Sequence, residues 1–221
     1  MSGKLFCVLN YLKYIHPLRD CIKSIVKLSL SSCSDYAKVF ENLQHNWCVK
    51  TLVLGSNFCL SSDDWAVGNA LKRMLVINNV LESLQCHQCH ITDSMSKCLA
   101  TGLTHNTSLK RLSLSHHGVH SYCGIINIIK ALQHNRRLEK LDLSDNQALL
   151  VKDNNKLLGF EIEQFLKANT TLIELNLCET YIDDTIAAGM AKGLRVNMGL
   201  KKLEVTFASL TSHGAAMLFL H

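Results

Sequence analysis

Three groups of residues in this chain are of types that do chemistry. The first is Cys86-His87-Gln88-Cys89-His90, which matches C-x-x-C-H, a haem-attachment pattern, and also makes one half of a zinc site. No second C-x-x-C follows, and His116, His117 and His120 begin 27 residues beyond Cys89, where a zinc finger expects about 12–15. The second group is His45, His105 and His134, each standing directly before an asparagine. Three histidines in one recurring position point to a shared packing or capping role. The third is a pair of glycan-acceptor sequences, Asn106-Thr-Ser and Asn169-Thr-Thr. Gly118, Gly124, Gly189 and Gly193 lack phosphate-loop spacing, and no nucleophile elbow, H-E-x-x-H helix or triad ordering is present. No catalytic, cofactor-binding or metal-ligating residue is therefore assigned, and the chain is not expected to be an enzyme.

The positions of these residues make sense once the chain is slid against itself. Asn-x-x-Leu-x-x-Leu-x-Leu recurs at Asn106–Leu114, Asn135–Leu143 and Asn169–Leu177, with looser copies at Asn46–Leu54, Asn78–Cys86 and Asn197–Val205. Ile25–Leu30 keeps the apolar alternation but lacks the leading Asn. The central apolar positions are Leu28, Leu52, Leu84, Leu112, Leu141, Leu175 and Leu203, a spacing of about 29 residues. The offset from each Asn to this Leu is always six, and an apolar anchor (Leu43, Leu75, Leu103, Leu132, Leu166, Leu194) stands three residues before each Asn. All variation in length falls between one strand and the next Asn. Strands that stack in register tolerate no slack, whereas the return segments do. Helical periodicity precedes the anchors, as in Ile125, Ile128, Ile129 and Leu132. Each unit therefore reads as strand, turn, helix.

On these motifs the chain resembles the leucine-rich-repeat family, in its ribonuclease-inhibitor-like subtype, over Ile22 to His221. The resemblance implies an α/β fold, a right-handed horseshoe solenoid with about seven parallel strands on the concave face and helices on the convex face. It also implies a ladder residue three positions after each strand, here Cys33, Asn57, Cys89, His117, Asn146, Thr180 and Ala208. Such a residue satisfies backbone groups in the turn between repeats, and His117, Thr180 and Ala208 depart from the preferred Asn or Cys. Cys86 then fills a strand position and Cys89 a ladder position, so a structural role outweighs a metal or haem role for both. Both sequon asparagines are repeat asparagines, where a glycan would obstruct stacking.

The chain has 221 residues, with 23 Lys+Arg against 18 Asp+Glu and 48% hydrophobic content. That length holds a sizeable core and is expected to form a single repeat domain, 1–221, with 1–24 as a helical cap and repeats over 25–221. The net charge of +5 gives little support to dedicated nucleic-acid binding. No apolar run reaches the roughly 18 residues of a membrane span, and ten Cys without a clear signal peptide read as reduced thiols in a cytoplasmic protein. The last repeat stops within an apolar helix (Ala215–His221), so further repeats or a partner are expected to cover that end.

Strand alternation turns one set of side chains toward a partner: Lys27, Ser29 and Ser31; Thr51, Val53 and Gly55; Ser83, Gln85 and His87; Arg111, Ser113 and Ser115; Lys140, Asp142 and Ser144; Glu174, Asn176 and Cys178; Lys202, Glu204 and Thr206. Central strands meet the most of a docked surface, so His87, Arg111, Ser113, Lys140, Asp142, Glu174 and Asn176 are the candidate partner-binding residues. Their mixed charge favours a protein partner over nucleic acid or membrane, and no cofactor is implied. The repeat wording is most similar to the C-terminal leucine-rich regions of NOD-like receptors, which implies a sensing or regulatory module. Similarity to RanGTPase-activating proteins, regulators of a small GTPase, or to tropomodulins, actin-capping proteins, gives the alternative readings.

Overall fold

The computed structural model describes residues 25–30, 35–55, 64–116, 119, 121–146, 155–206 and 209–219. Ladder positions Cys33, Asn57, His117 and Ala208, concave-face Ser31 and the expected cap over 1–24 lie outside them.

Among the described residues seven strands, β1 (Lys27–Leu30), β2 (Thr51–Leu54), β3 (Ser83–Cys86), β4 (Arg111–Ser113), β5 (Lys140–Asp142), β6 (Glu174–Asn176) and β7 (Lys202–Glu204), form one parallel sheet in sequence order. Its register places Leu28, Leu52, Leu84, Leu112, Leu141, Leu175 and Leu203 side by side. Among the described residues seven helices return the chain: α1 (Tyr36–Leu43), α2 (Asp64–Ile77), α3 (Asp93–His105), α4 (Tyr122–Gln133), α5 (Asn155–Ala168), α6 (Asp184–Leu194) and α7 (Ser212–Phe219). Helix starts follow local chemistry. Asp35, Thr92, Ser121 and Asp183 each accept an N–H of the first turn, satisfying a donor the helix cannot.

The molecule is a right-handed leucine-rich-repeat solenoid. Neighbouring strands sit about 4.8 Å apart and packed helices about 8–10 Å apart, so stacking the units bends the chain with its sheet inside the curve. Between the layers the core is almost wholly aliphatic, with Leu52, Leu84, Leu112 and Leu141 at most 1% exposed. In α6, a Cβ added at Gly189 would overlap the Gly159 carbonyl of α5, so this close helix approach requires glycine.

Two side-chain ladders hold the turns. In the first, each repeat Asn from Asn78 onward accepts two backbone N–H groups of its own turn and donates to the carbonyl of the anchor Leu one repeat earlier, and Asn46 accepts the N–H groups of Cys48 and Val49. For Asn135, the N–H groups of Arg137 and Leu138 donate to Oδ1 at 2.9 and 2.8 Å, and Nδ2 donates to Leu103 O at 2.8 Å. Asn78, Asn106, Asn169 and Asn197 repeat the pattern onto Leu43, Leu75, Leu132 and Leu166. The sequon residues Asn106 and Asn169 are 4% and 2% exposed. The nitrogen a glycan would need is buried and already used.

The second ladder is the one the repeat wording implied. Asn146 donates to Leu114 O and Leu143 O, both at 2.8 Å, and accepts Val119 N at 2.9 Å. Cys89 Sγ, fully buried, donates toward Leu54 O and His87 O at 3.5 and 3.3 Å, and Thr180 Oγ1 donates to Leu177 O at 2.5 Å. Thr180 therefore does satisfy its own turn, but reaches only one carbonyl. Cys48, Cys86, Cys89, Cys98, Cys123 and Cys178 are all free thiols. The three histidines before the repeat Asn are all exposed, beyond a helix or at its end, and one of them, His105, lies with Nδ1 3.0 Å from Thr101 O.

Two or three residues past strands β3 to β6, Gln88, His116, Asp145 and Glu179 all take positive φ, between 53° and 57°. A side chain there costs about 1 kcal/mol or more relative to glycine. Glu179→Gly is expected to raise stability by about 0.5–1 kcal/mol, the relieved strain outweighing the added freedom of the unfolded chain. Asn135→Ala should lower it by about 2–4 kcal/mol, since it strands two buried N–H groups and a carbonyl. Chemical denaturation of each variant measures both.

Candidate partner-binding face

The candidate residues start from a simple alternation. Leu84, Leu112, Leu141 and Leu175 point into the core, so the residues on either side of each point out of the concave sheet. Across the strands this gives three rows. The first runs Lys27, Thr51, Ser83, Arg111, Lys140, Glu174 and Lys202, and the second Ser29, Val53, Gln85, Ser113, Asp142, Asn176 and Glu204. The third holds Gly55, His87, Ser115, Ser144 and Cys178, just past the strands.

The structure joins several of these into one chain of hydrogen bonds. His87 Nδ1 lies 2.8 Å from Ser115 Oγ, which lies 3.3 Å from Ser113 Oγ. Ser113 Oγ donates to Asp142 Oδ2 at 3.0 Å, and Ser144 Oγ donates to Asp142 Oδ1 at 2.7 Å. Lys140 and Glu174 form a separate pair at 2.6 Å, and the Lys140 ammonium holds the Glu174 carboxyl below its ordinary range. Asn176 turns to its own backbone, its Oδ1 accepting Cys178 N at 3.0 Å. Arg111 is exposed beside Lys140 on the neighbouring strand.

Two members of the expected concave set are not presented. Ser83 and Ser115 are 1% and 2% exposed, because short hydroxyls between longer neighbours are covered by them. Conversely, His116 and Asp145, absent from the candidate set, add a rim. His116 Nδ1 meets Asp145 Oδ2 at 3.0 Å, and its ring centroid lies 6.1 Å from that of His87. Their shared place three residues beyond the strand was visible in the repeat alignment, but the left-handed backbone that aims them was not.

Partial burial disfavours the charged form of His87, and the neighbouring His116 adds to this while Asp142 opposes it, so the imidazole sits below its ordinary value of 6.5. The Ser–His contact in this chain of groups, His87 Nδ1 at 2.8 Å from Ser115 Oγ, involves a hydroxyl that is almost fully buried. His87 reaches Asp142 only through two serines. Among the described residues no group of three or more His, Cys, Asp or Glu side chains is placed to hold a metal ion, and no helix is long and apolar enough to cross a membrane. What the face offers is a broad polar surface, several of whose members, His87, Ser113, Asp142, Lys140 and Glu174 among them, are already held by neighbouring side chains.

Comparison with known proteins bears on the fold. No family model matches the chain, and no curated protein matches it in sequence. Among solved structures it is similar to actin-binding site 2 of leiomodin-1, at 18% identity and a TM-score of 0.56, covering 74% of this chain and 92% of that one. It is also similar to a protein of Bacteroides fragilis, at 13% identity and a TM-score of 0.54, covering 92% of this chain and 66% of that one.

Because the folded protein disfavours protonated His87, the native state binds fewer protons than the unfolded chain as pH falls through and below 6.5. Its contribution is present above that value and is lost on acidification. The melting temperature should therefore fall between pH 7 and pH 5, and His87→Gln should flatten that slope. Glu82 and Glu174, held below the ordinary carboxylate range by Lys110 and Lys140, weaken the fold only at lower pH. Melting scans of both proteins in steps across this range measure the difference.

Proposed function

We propose that this chain is a non-catalytic interaction module that takes a protein partner on the concave face of strands β3 to β6. One observation carries the reading. His87, Ser113, Asp142, Lys140 and Glu174 present both signs of charge on adjacent strands and are fixed by mutual hydrogen bonds. A surface whose side chains are already ordered loses little rotamer entropy on docking, and a stiff solenoid holds it in one shape. Mixed charge in register recognises another mixed surface, which is a protein's.

Two narrower readings belong here. The repeat wording supports a sensing or regulatory region of the NOD-like-receptor type. The likeness to an actin-binding site of leiomodin-1 favours actin as the partner to try first, in line with the tropomodulin-like alternative, and co-sedimentation with filamentous actin tests it directly. A regulator of a small GTPase has no structural observation in its favour.

The general reading is tested by bulk rather than charge. Gln85→Trp and Asn176→Trp place indoles on the central strands without altering the core. Together they should abolish capture of the partner that the wild-type chain retains from cell extract, with an unchanged melting temperature. Retained capture would move the site off this face.

A further inference from the structure

The charge surplus of this protein is not spread along it. Residues 93–140 contain seven Lys and Arg against two Asp and Glu, a surplus of five, equal to the net charge of the whole chain. Five of those cations, Lys110, Arg111, Arg136, Arg137 and Lys140, fall at the start of β4 and β5 or in the turn leading into β5. Solenoid stacking brings them together. Arg137 Nε donates to Thr107 O at 2.8 Å, in the turn leading into β4, so this guanidinium lies across the boundary between the two repeats. Arg136 Nη1 donates to Gln133 O at 2.8 Å. Arg111 and Lys140 are direct register partners, and like charges facing each other across strands are destabilising.

The fold neutralises only part of this. Lys110 pairs with Glu82 at 3.3 Å, and Lys140 with Glu174 at 2.6 Å. Among the described residues Arg111, Arg136 and Arg137 have no carboxylate partner, and all three are exposed. Arg136 and Arg137 are bound to carbonyl oxygens through one nitrogen each, leaving further N–H donors for a ligand. Guanidinium groups match carboxylates in paired hydrogen bonds. A run of phosphates would meet Glu82, Glu139 and Glu174 one residue or one strand away, whereas a short acidic stretch within a protein sets its charges between them.

We propose that the strand-start edge of β4 and β5, centred on Arg111 and Arg137, binds an acidic segment of the protein partner. The inference rests on the interaction-module reading above and adds to it the chemistry of the partner and the edge it approaches.

The test uses the full chain and fluorescein-labelled octaglutamate, followed by anisotropy at 50 mM and 300 mM NaCl. Octaglutamate should bind at the lower salt and weaken at the higher, and octaglutamine should not bind. Arg111→Glu with Arg137→Glu should weaken binding at least tenfold; if that pair lowers the melting temperature, Arg111→Gln with Arg137→Gln should still weaken it at least threefold. Arg73→Glu with Lys192→Glu changes net charge equally, but on α2 and α6, and should leave affinity within twofold. Equal loss in that control would reduce the effect to net charge and overturn the proposal. So would absence of octaglutamate binding, or tighter binding of a single-stranded 12-nucleotide RNA. Failure of octaglutamate while the two Trp substitutions still abolish partner capture would sink the acidic segment alone and leave the module reading standing.

Discussion

A single buried amide, repeated once per turn of the solenoid, sets the geometry on which everything else rests. Each repeat Asn from Asn78 onward ties two N–H groups of its own turn to the helix end of the repeat before it, as Asn78 does with Val80, Leu81 and Leu43. It is the only side chain type that combines an acceptor and donors on so short a stem. The invariant offsets follow from this. Three residues back stands the anchor whose carbonyl the next Asn will take, and six residues on stands the Leu that enters the core. A one-residue insertion inside that span would leave buried donors without acceptors. Between strand and helix there is no such tether, and there the repeats differ in length.

The same constraint explains why the concave face can carry an ordered polar surface. Once the core Leu row is in register, the side chains between them stand in rows about 4.8 Å apart, close enough for Ser113 to reach Asp142 and Lys140 to reach Glu174. Hydroxyls and charges that would be mobile on an isolated strand become a lattice. That lattice is not neutral everywhere. Ion pairs cover the cations Lys110 and Lys140, while the arginines at the start of β4 and β5 keep donors turned outward. Polar surfaces of this kind are built by repetition, and the departures from repetition give them identity.

Much of the architecture was legible in the chain because repeats are locally consistent. Leu112, Leu141 and Leu175 are core for the same reason, and seven copies of one pattern reinforce each other. The assignment of Cys86 to a strand and Cys89 to a ladder depended on that register, and the structure places Cys86 at the end of β3 and buries both, at 1% and 0% exposure. Less was legible at the candidate site. Alternation placed Ser83 and Ser115 on the concave face, but whether a short side chain is reached by solvent depends on the length of its neighbours. Likewise His116 and Asp145 themselves take a left-handed backbone at the rim, which their residue types do not announce.

By itself the sequence determined the period, the core rows and the line of repeat asparagines, because each is a local pattern that recurs at fixed spacing; the parallel order of the strands and the second ladder followed from the resemblance to leucine-rich repeats. Tertiary structure alone decided which polar residues touch. His87 and Ser115 are 28 positions apart, Ser113 and Asp142 29, Arg137 and Thr107 30. Spacing along the chain says that such residues occupy matching rows; which row faces which, and which charge is left unanswered, depends on side-chain reach across neighbouring strands, and that is a property of the stacked solenoid.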